Sequence, residues 1–144
     1  MKNLTFIVLA LLVLASLASA QGAWDAVQAL PGVWSGAAAF GDYTGDGLPD
    51  LVLTGQTGPA DGGVRIARAY RNASGALVED KAQVLPGVAY GAVAWADYDR
   101  DGDLDLALSG LDASNQDVLK LYKNDRGTLR EDAGRGWRRV VPSP

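Results

Sequence analysis

Residues 97–105 read Asp97-Tyr98-Asp99-Arg100-Asp101-Gly102-Asp103-Leu104-Asp105, and residues 42–50 read Asp42-Tyr43-Thr44-Gly45-Asp46-Gly47-Leu48-Pro49-Asp50. Both stretches place oxygen-bearing side chains at positions 1, 3, 5 and 9 and a glycine at position 6. Calcium takes six to eight oxygen ligands, and a tightly coiled loop can turn alternate side chains inward to supply them. The spacing therefore predicts two calcium-type loops. Its occurrence twice argues against two chance polar turns.

The expected ligands are the side chains at positions 1, 3, 5 and 9 and the backbone carbonyl at position 7. In the first loop these positions hold Asp42, Thr44, Asp46, Leu48 and Asp50, and in the second they hold Asp97, Asp99, Asp101, Asp103 and Asp105. The second loop has more carboxylates, so we expect it to bind Ca²⁺ more tightly. An EF-hand is excluded, because that motif needs an acidic residue at position 12, where this chain has Leu53 or Leu108.

The two loops belong to a longer internal repeat. Leu30-Pro31-Gly32-Val33 recurs as Leu85-Pro86-Gly87-Val88, an offset of 85 − 30 = 55 that the loops share. Further along, Tyr70-Arg71-Asn72 matches Tyr122-Lys123-Asn124 at an offset of 122 − 70 = 52. A loop that is three residues shorter in the second copy explains the change in offset.

Each repeat contains four short runs that favour strands, because they are rich in β-formers or alternate with period two. In the first repeat they are 37–40, 51–54, 64–71 and 76–79, and in the second they are 93–96, 104–109, 118–123 and 128–130. Four strands in a repeat of about 50 residues are typical of a propeller blade. We therefore predict an all-β fold of two four-stranded β-propeller-type blades, a partial propeller, with a small two-sheet β sandwich as the alternative.

The N-terminus is typical of an export signal. Lys2 precedes an apolar run, and Ala18-Ser19-Ala20 offers the small-x-small pattern of signal peptidase sites. We expect a signal peptide at 1–20, a first repeat at 21–84, a second repeat at 85–132 and a C-terminal tail at 133–144. The alternative for the first segment is an uncleaved membrane anchor. Cleavage predicts a secreted, periplasmic or cell-surface protein with no membrane span.

Composition excludes several classes of function. The chain has no cysteine and no histidine, which removes disulfides, thiolate metal sites and Ser-His-Asp catalysis. After loss of Lys2 the charge is 12 − 17 = −5, which disfavours nucleic acid as a partner. Any catalysis would have to rest on carboxylates, lysine or tyrosine, and the loops account for the carboxylates. We therefore expect a protein that is not an enzyme.

Two segments, Ala39-Phe40-Gly41-Asp42 through Asp50-Leu51 and Ala94-Trp95-Ala96-Asp97 through Asp105-Leu106, resemble FG-GAP or VCBS repeats, the blades of integrin-α-like β-propellers. The resemblance implies that each loop joins the first two strands of a blade and holds Ca²⁺. It also implies adhesion or recognition of a protein or glycan ligand. The chain departs from the family in Thr44, where Asp or Asn is usual, and in having two repeats where about seven are typical.

Three alternatives follow for the function of the chain. The chain is a calcium-binding recognition module, a non-catalytic part of an extracellular carbohydrate-active or other hydrolytic enzyme, or a carboxylate-based enzyme. Repeated aromatics such as Phe40 and Trp95, and Tyr43 and Tyr98, indicate either packing between blades or a carbohydrate platform.

Because two blades leave apolar faces uncovered, we also expect either a homo-oligomer or a fragment of a longer propeller.

Overall fold

The computed structural model describes residues 30–59 and 62–133. The predicted signal peptide at 1–20 and all but the first residue of the predicted tail lie outside the described residues. Within the described ranges, no helix is long and apolar enough to cross a membrane.

The described chain folds into eight strands. They are β1 (Trp34–Gly41), β2 (Asp50–Thr57), β3 (Val64–Ala73), β4 (Ala76–Glu79), β5 (Val93–Ala96), β6 (Asp105–Leu111), β7 (Asp117–Asp125) and β8 (Thr128–Glu131). Every predicted strand is present. Two have the predicted bounds, and most of the others extend by one to three residues because their edge residues still pair with the neighbouring strand.

The strands form two antiparallel sheets with the simplest possible connectivity. Strands β1 to β4 make one sheet in sequence order, which we call blade 1, and β5 to β8 make the other, blade 2. Each strand pairs with the strand that follows it, so short turns suffice. The all-β prediction with two four-stranded sheets is confirmed.

The two blades share one hydrophobic core. It contains Tyr43, Val52, Ala69, Val88, Leu106, Leu108, Tyr122 and Leu129, all at least nine-tenths buried. Blade 1 contributes the face that carries Ala39, Val52 and Ala69, which we call its receiving face. Blade 2 contributes the face that carries Trp95 and Tyr122, which we call its inserting face.

These two faces are not equivalent in the repeat. At an offset of 55, Val52 corresponds to Ala107, which lies on the opposite face of blade 2 from Leu106. A twofold sandwich would pair equivalent faces, whereas this contact pairs different ones. Successive propeller blades are related in this second way.

Aromatic side chains fill the junction between the blades. The rings of Tyr43 and Trp95 stack with centroids 5.4 Å apart and planes 8° from parallel. Trp34 meets Tyr90 edge to face at 5.9 Å. Tyr43 and Trp95 pack between the blades, as one of the two interpretations of the repeated aromatics expects, whereas Tyr90 is 58% exposed. Phe40 does not pack there, because it is 65% exposed.

Backbone and amide groups also cross the junction. Trp95 Nε1 donates to Ala39 O at 3.2 Å, and Gly55 N donates to Val88 O at 2.9 Å. Gln83, in the segment between the blades, donates to Gly127 O at 2.9 Å and accepts from Leu129 N at 2.9 Å. The blades are therefore held together by directional bonds as well as by apolar packing.

Candidate metal centre

Each acidic loop joins the first two strands of its blade, as the family resemblance implied. Residues 42–49 connect β1 to β2, and residues 97–104 connect β5 to β6. The glycine at position 6 takes a left-handed conformation in both loops, with φ of 87° at Gly47 and 98° at Gly102. A side chain would strain this conformation, which is why the motif has glycine there.

The aspartate at position 9 anchors each loop to the sheet. Asp50 and Asp105 are buried, with 0% and 1% of their surface exposed. One oxygen of Asp50 accepts a hydrogen bond from Asn72 N at 2.8 Å, and Asp105 accepts one from Asn124 N at the same distance. The other oxygen faces the loop and accepts from the backbone N–H at position 2 at 3.1 Å in both loops.

The aspartate at position 1 shapes the turn. Asp42 accepts hydrogen bonds from Gly45 N and Gly47 N, each at 2.7 Å, and from Asp46 N at 3.1 Å. Burial alone would raise the pKa of Asp42, but the bonds from these N–H groups and from Thr44 together lower it below the usual value. Asp97 accepts the equivalent bonds from Asp101 N and Gly102 N, both at 3.1 Å. Both carboxylates therefore stabilise the turn of their own loop by accepting hydrogen bonds from its backbone N–H groups.

Position 3 distinguishes the two loops. In the first loop the Thr44 hydroxyl lies 3.1 Å from Asp50 Oδ2 and 3.4 Å from Asp42 Oδ1, so it can donate to either. In the second loop Asp99 takes this place and cannot donate. The first loop therefore supplies a hydroxyl donor to two of its own carboxylates, whereas the second has a fourth carboxylate at the ligand positions.

Three carboxylates converge in the second loop. Oxygen atoms of Asp97, Asp99 and Asp105 all lie within 4.8 Å of one another, and among the described residues this is the one such group. Asp99 Oδ1 is buried and has no hydrogen-bond partner. A buried, unpaired carboxylate oxygen is costly unless a cation or donor meets it. The donor set is all oxygen and fits a hard cation such as Ca²⁺.

A lysine from the neighbouring strand contacts this cluster. Lys123, on β7, forms ion pairs with Asp99 and, at 3.1 Å, with Asp101. These hydrogen bonds, the one to Asp99 first, raise the pKa of Lys123. The pKa of Asp101 is lowered, first by the backbone N–H of Asp103 and then by Lys123. The equivalent residue of blade 1, Arg71, lies 3.5 Å from Asp80 instead.

The other predicted ligands with acidic side chains accept hydrogen bonds from backbone N–H groups. Asp46 accepts from Leu48 N at 2.9 Å, and Asp101 accepts from Asp103 N at 3.0 Å. The Asp103 side chain accepts from Arg126 N at 3.0 Å. The structure therefore brings Asp97, Asp99 and Asp105 together and places Asp101 beside them through Lys123. It turns the side chain of Asp103 toward the β7–β8 turn.

Several supporting residues were not predicted to belong to the site. Tyr43 donates its hydroxyl to Asp80 at 3.0 Å, and Tyr98 donates to Asp132 at 2.8 Å. The bond to Asp132 is the main reason that the pKa of Tyr98 rises to about 12. The offset of 52 that relates Asp80 to Asp132 was a visible signal. Lys123 matches Arg71 at the same offset, but the match does not reveal its contact with Asp99, because Arg71 pairs with Asp80 instead.

The family comparison agrees with this geometry. The sequence model of the FG-GAP-like repeat family matches residues 42–108, a segment that begins at the first acidic loop and contains the whole of the second. No curated protein and no solved structure gives a significant match to the chain.

Proposed function

This chain is an FG-GAP-like repeat protein, and from that premise we propose that it is an exported calcium-binding module of the β-propeller type. In this proposal it recognises a protein or glycan ligand, as in adhesion, and catalyses no reaction. Ca²⁺ is its cofactor, and the second acidic loop is the principal site.

The cluster of Asp97, Asp99 and Asp105 carries the proposal. Three carboxylate oxygens within 4.8 Å repel one another, and one oxygen of Asp99 is buried without a partner. Lys123 supplies one positive charge to the three carboxylates, and a bound Ca²⁺ would supply the further positive charge that this cluster needs. Asp97 and Asp105 are already fixed by backbone N–H groups, so little ordering of these two side chains is needed.

The first loop is the weaker site of the proposal. It carries Asp42, Asp46 and Asp50 at the equivalent sequence positions, but Thr44 replaces the fourth carboxylate. Calcium affinity rises with the number of charged ligands, so this loop should fill second. Extracellular calcium is compatible with such weak sites, because extracellular modules commonly have Kd values of about 10⁻⁴ to 10⁻³ M.

Calcium also has a structural role in the proposal. A small exported domain usually relies on disulfides, and this chain has no cysteine. Binding to the folded loops alone stabilises a protein by RT ln(1 + [L]/Kd), about 2.7 kcal/mol at a hundredfold excess over Kd. Calcium would therefore rigidify the loop ends of both blades, which makes them a suitable recognition surface.

Calorimetric titration with CaCl₂ tests the proposal. We expect two binding phases in the wild type, with Asp97→Asn weakening the tighter phase and Asp42→Asn weakening the other. The two substitutions are matched, because both remove the charge at position 1 and keep a side-chain oxygen. Thermal unfolding should shift upward in calcium and return in EGTA. Absence of heat, with an unfolding midpoint that EGTA leaves unchanged, would reject the calcium function.

A further inference from the structure

One buried side chain connects the two acidic loops. Asn124 lies on β7 of blade 2 and is 0% exposed. Its backbone N–H donates to Asp105 Oδ1 at 2.8 Å, and its side-chain Nδ2 donates to Tyr43 O at 2.7 Å. Asp105 is position 9 of the second loop, and Tyr43 is position 2 of the first. The same residue therefore holds a predicted calcium ligand of one loop and the backbone of the other.

The amide group of Asn124 is fixed in its orientation. Nδ2 also donates to Leu104 O at 3.0 Å, next to Asp105 in the second loop, and Oδ1 accepts from Gly127 N at 2.8 Å. Both amide hydrogens and the amide oxygen thus have partners. Rotation of this buried amide would leave polar groups unpaired, which is costly. A displacement of the second loop at Leu104 is therefore linked to a displacement of the first loop at Tyr43.

The link continues into the first loop through Tyr43, which is buried. The backbone N–H groups of Tyr43 and Thr44 both donate to Asp50 Oδ2, at 3.1 and 3.2 Å. Three hydrogen bonds of 2.7 to 3.1 Å thus join the position 9 aspartates of the two loops through Asn124 and Tyr43. These two aspartates are the most deeply buried of the predicted ligands.

The equivalent residue of blade 1 separates this link from the ordinary role of the repeat. Asn72 matches Asn124 at the offset of 52 and makes the equivalent bonds inside its own blade. Those bonds, one each with Asp50, Pro49 and Gly75, have lengths of 2.7 to 3.0 Å. The contact that Asn124 adds is the one to Tyr43 O in the other blade. Substitution of each asparagine can therefore distinguish support within a blade from the connection between loops.

We propose that Asn124 is a positioning residue that couples the two calcium loops, so that filling of the second loop orders the first. The inference rests on the proposed calcium function. The carboxylates of the second loop repel one another, and a cation held by Asp97 and Asp105 would restrain Asp105. Asn124 extends this restraint to Tyr43, so the first loop loses less conformational freedom when it binds its own ion. The coupling is reciprocal, because binding free energies are linked.

The sign of the coupling separates this mechanism from an interaction of charges. Two divalent cations repel each other, so through charge alone a filled second loop would weaken binding at the first. The contact through Asn124 acts in the opposite direction. Salt screens the repulsion between exposed loops but has little effect on a buried hydrogen bond. The expected result is a favourable coupling that persists in about 1 M KCl, where the Debye length is about 3 Å.

Calorimetric titration of four chains with CaCl₂ measures the coupling. The chains are the wild type, Asp97→Asn, Asn124→Ala and the double variant. Asp97→Asn weakens the second loop, and in the wild-type background it should also weaken the first loop about fivefold. In the Asn124→Ala background it should leave the affinity of the first loop unchanged. Asn72→Ala is the matched control background, in which the fivefold dependence should remain.

NMR relaxation of the Asp42→Asn chain measures the ordering directly, at calcium concentrations that fill only the second loop. Order parameters of the Tyr43 and Thr44 N–H groups should rise together with those of the second loop. With Asn124→Ala added, only those of the second loop should rise. Asn124→Asp replaces Asn124→Ala if circular dichroism shows that the latter is unfolded, because it keeps the acceptor for Gly127 N and lacks the amide donor.

Three results would overturn the coupling although calcium binds. One is an affinity of the first loop that Asp97→Asn leaves unchanged or increases. The second is a fivefold dependence that persists in a folded Asn124 variant. The third is an Asp42→Asn chain in which calcium orders the second loop and leaves Tyr43 and Thr44 as they were. Failure of the proposed function is distinct, because then no chain gives heat of binding and no order parameter changes, and the coupling is rejected with it.

Discussion

The loop at residues 42–50 has a hydroxyl donor of its own beside two of its carboxylates, whereas the loop at residues 97–105 has a further carboxylate that pairs with a lysine on a neighbouring strand. In the first, Thr44 supplies a hydroxyl next to Asp42 and Asp50. In the second, Asp99 adds a carboxylate, and Lys123 on the neighbouring strand contacts it. The backbones are alike, with a left-handed glycine at position 6 in both. One side chain at position 3 therefore separates a loop with an internal hydroxyl donor from a loop with a fourth carboxylate at the ligand positions.

The left-handed residue at position 4 is a second difference. Gly45 has φ of 76° and Arg100 has φ of 66°, so the second loop holds a residue with a side chain in a conformation that favours glycine. Such conformations persist where surrounding bonds enforce them, and they are frequent at ligand sites. The loop with more charge is thus also the loop with more backbone strain.

The largest expected effect concerns the buried aspartates in the absence of calcium. Asp50→Ala should destabilise the fold by roughly 3 kcal/mol in EGTA, because three backbone N–H groups and the Thr44 hydroxyl lose an acceptor. Asp105→Ala removes the acceptor for two backbone N–H groups and relieves charge repulsion, so its effect should be smaller. Urea unfolding of both variants measures the difference. A greater loss for Asp105→Ala would contradict the comparison.

An exchange of the residues at position 3 tests what separates the loops. Asp99→Thr should weaken calcium binding at the second loop about tenfold, since one charged ligand is lost. Thr44→Asp should strengthen binding at the first loop by a similar factor. Calorimetric titration of each single variant should show the change in affinity at its own loop. Titration of the double exchange should show that calcium fills the first loop before the second. If neither substitution changes the affinity, position 3 is not a ligand.

The smallest expected effect concerns the lysine. Lys123→Met should tighten calcium binding about fivefold, because the side chain no longer competes for Asp99 and Asp101. Arg71→Met is the matched control on blade 1, where the guanidinium pairs with Asp80 and not with a predicted calcium ligand. It should leave the affinity unchanged. Equal effects of the two substitutions would show that Lys123 acts only through the net charge of the protein.

The amino-acid sequence alone predicted the strands, the repeat and the position of both loops. These features depend on neighbouring residues, since period-two alternation specifies strands and Gly47 and Gly102 specify turns. The strand bounds were correct to within three residues, because pairing between strands extends their ends beyond the alternating runs.

The tertiary structure alone decided which carboxylates converge and which faces meet. Asp97, Asp99 and Asp105 form the cluster because Asn124 fixes Asp105 from a different strand, while Asp103 turns to Arg126. Lys123 reaches Asp99 across 24 residues of sequence, and Trp95 reaches Ala39 across 56. Local sequence cannot specify such contacts, because they depend on how the sheets are placed by the packing of the whole core.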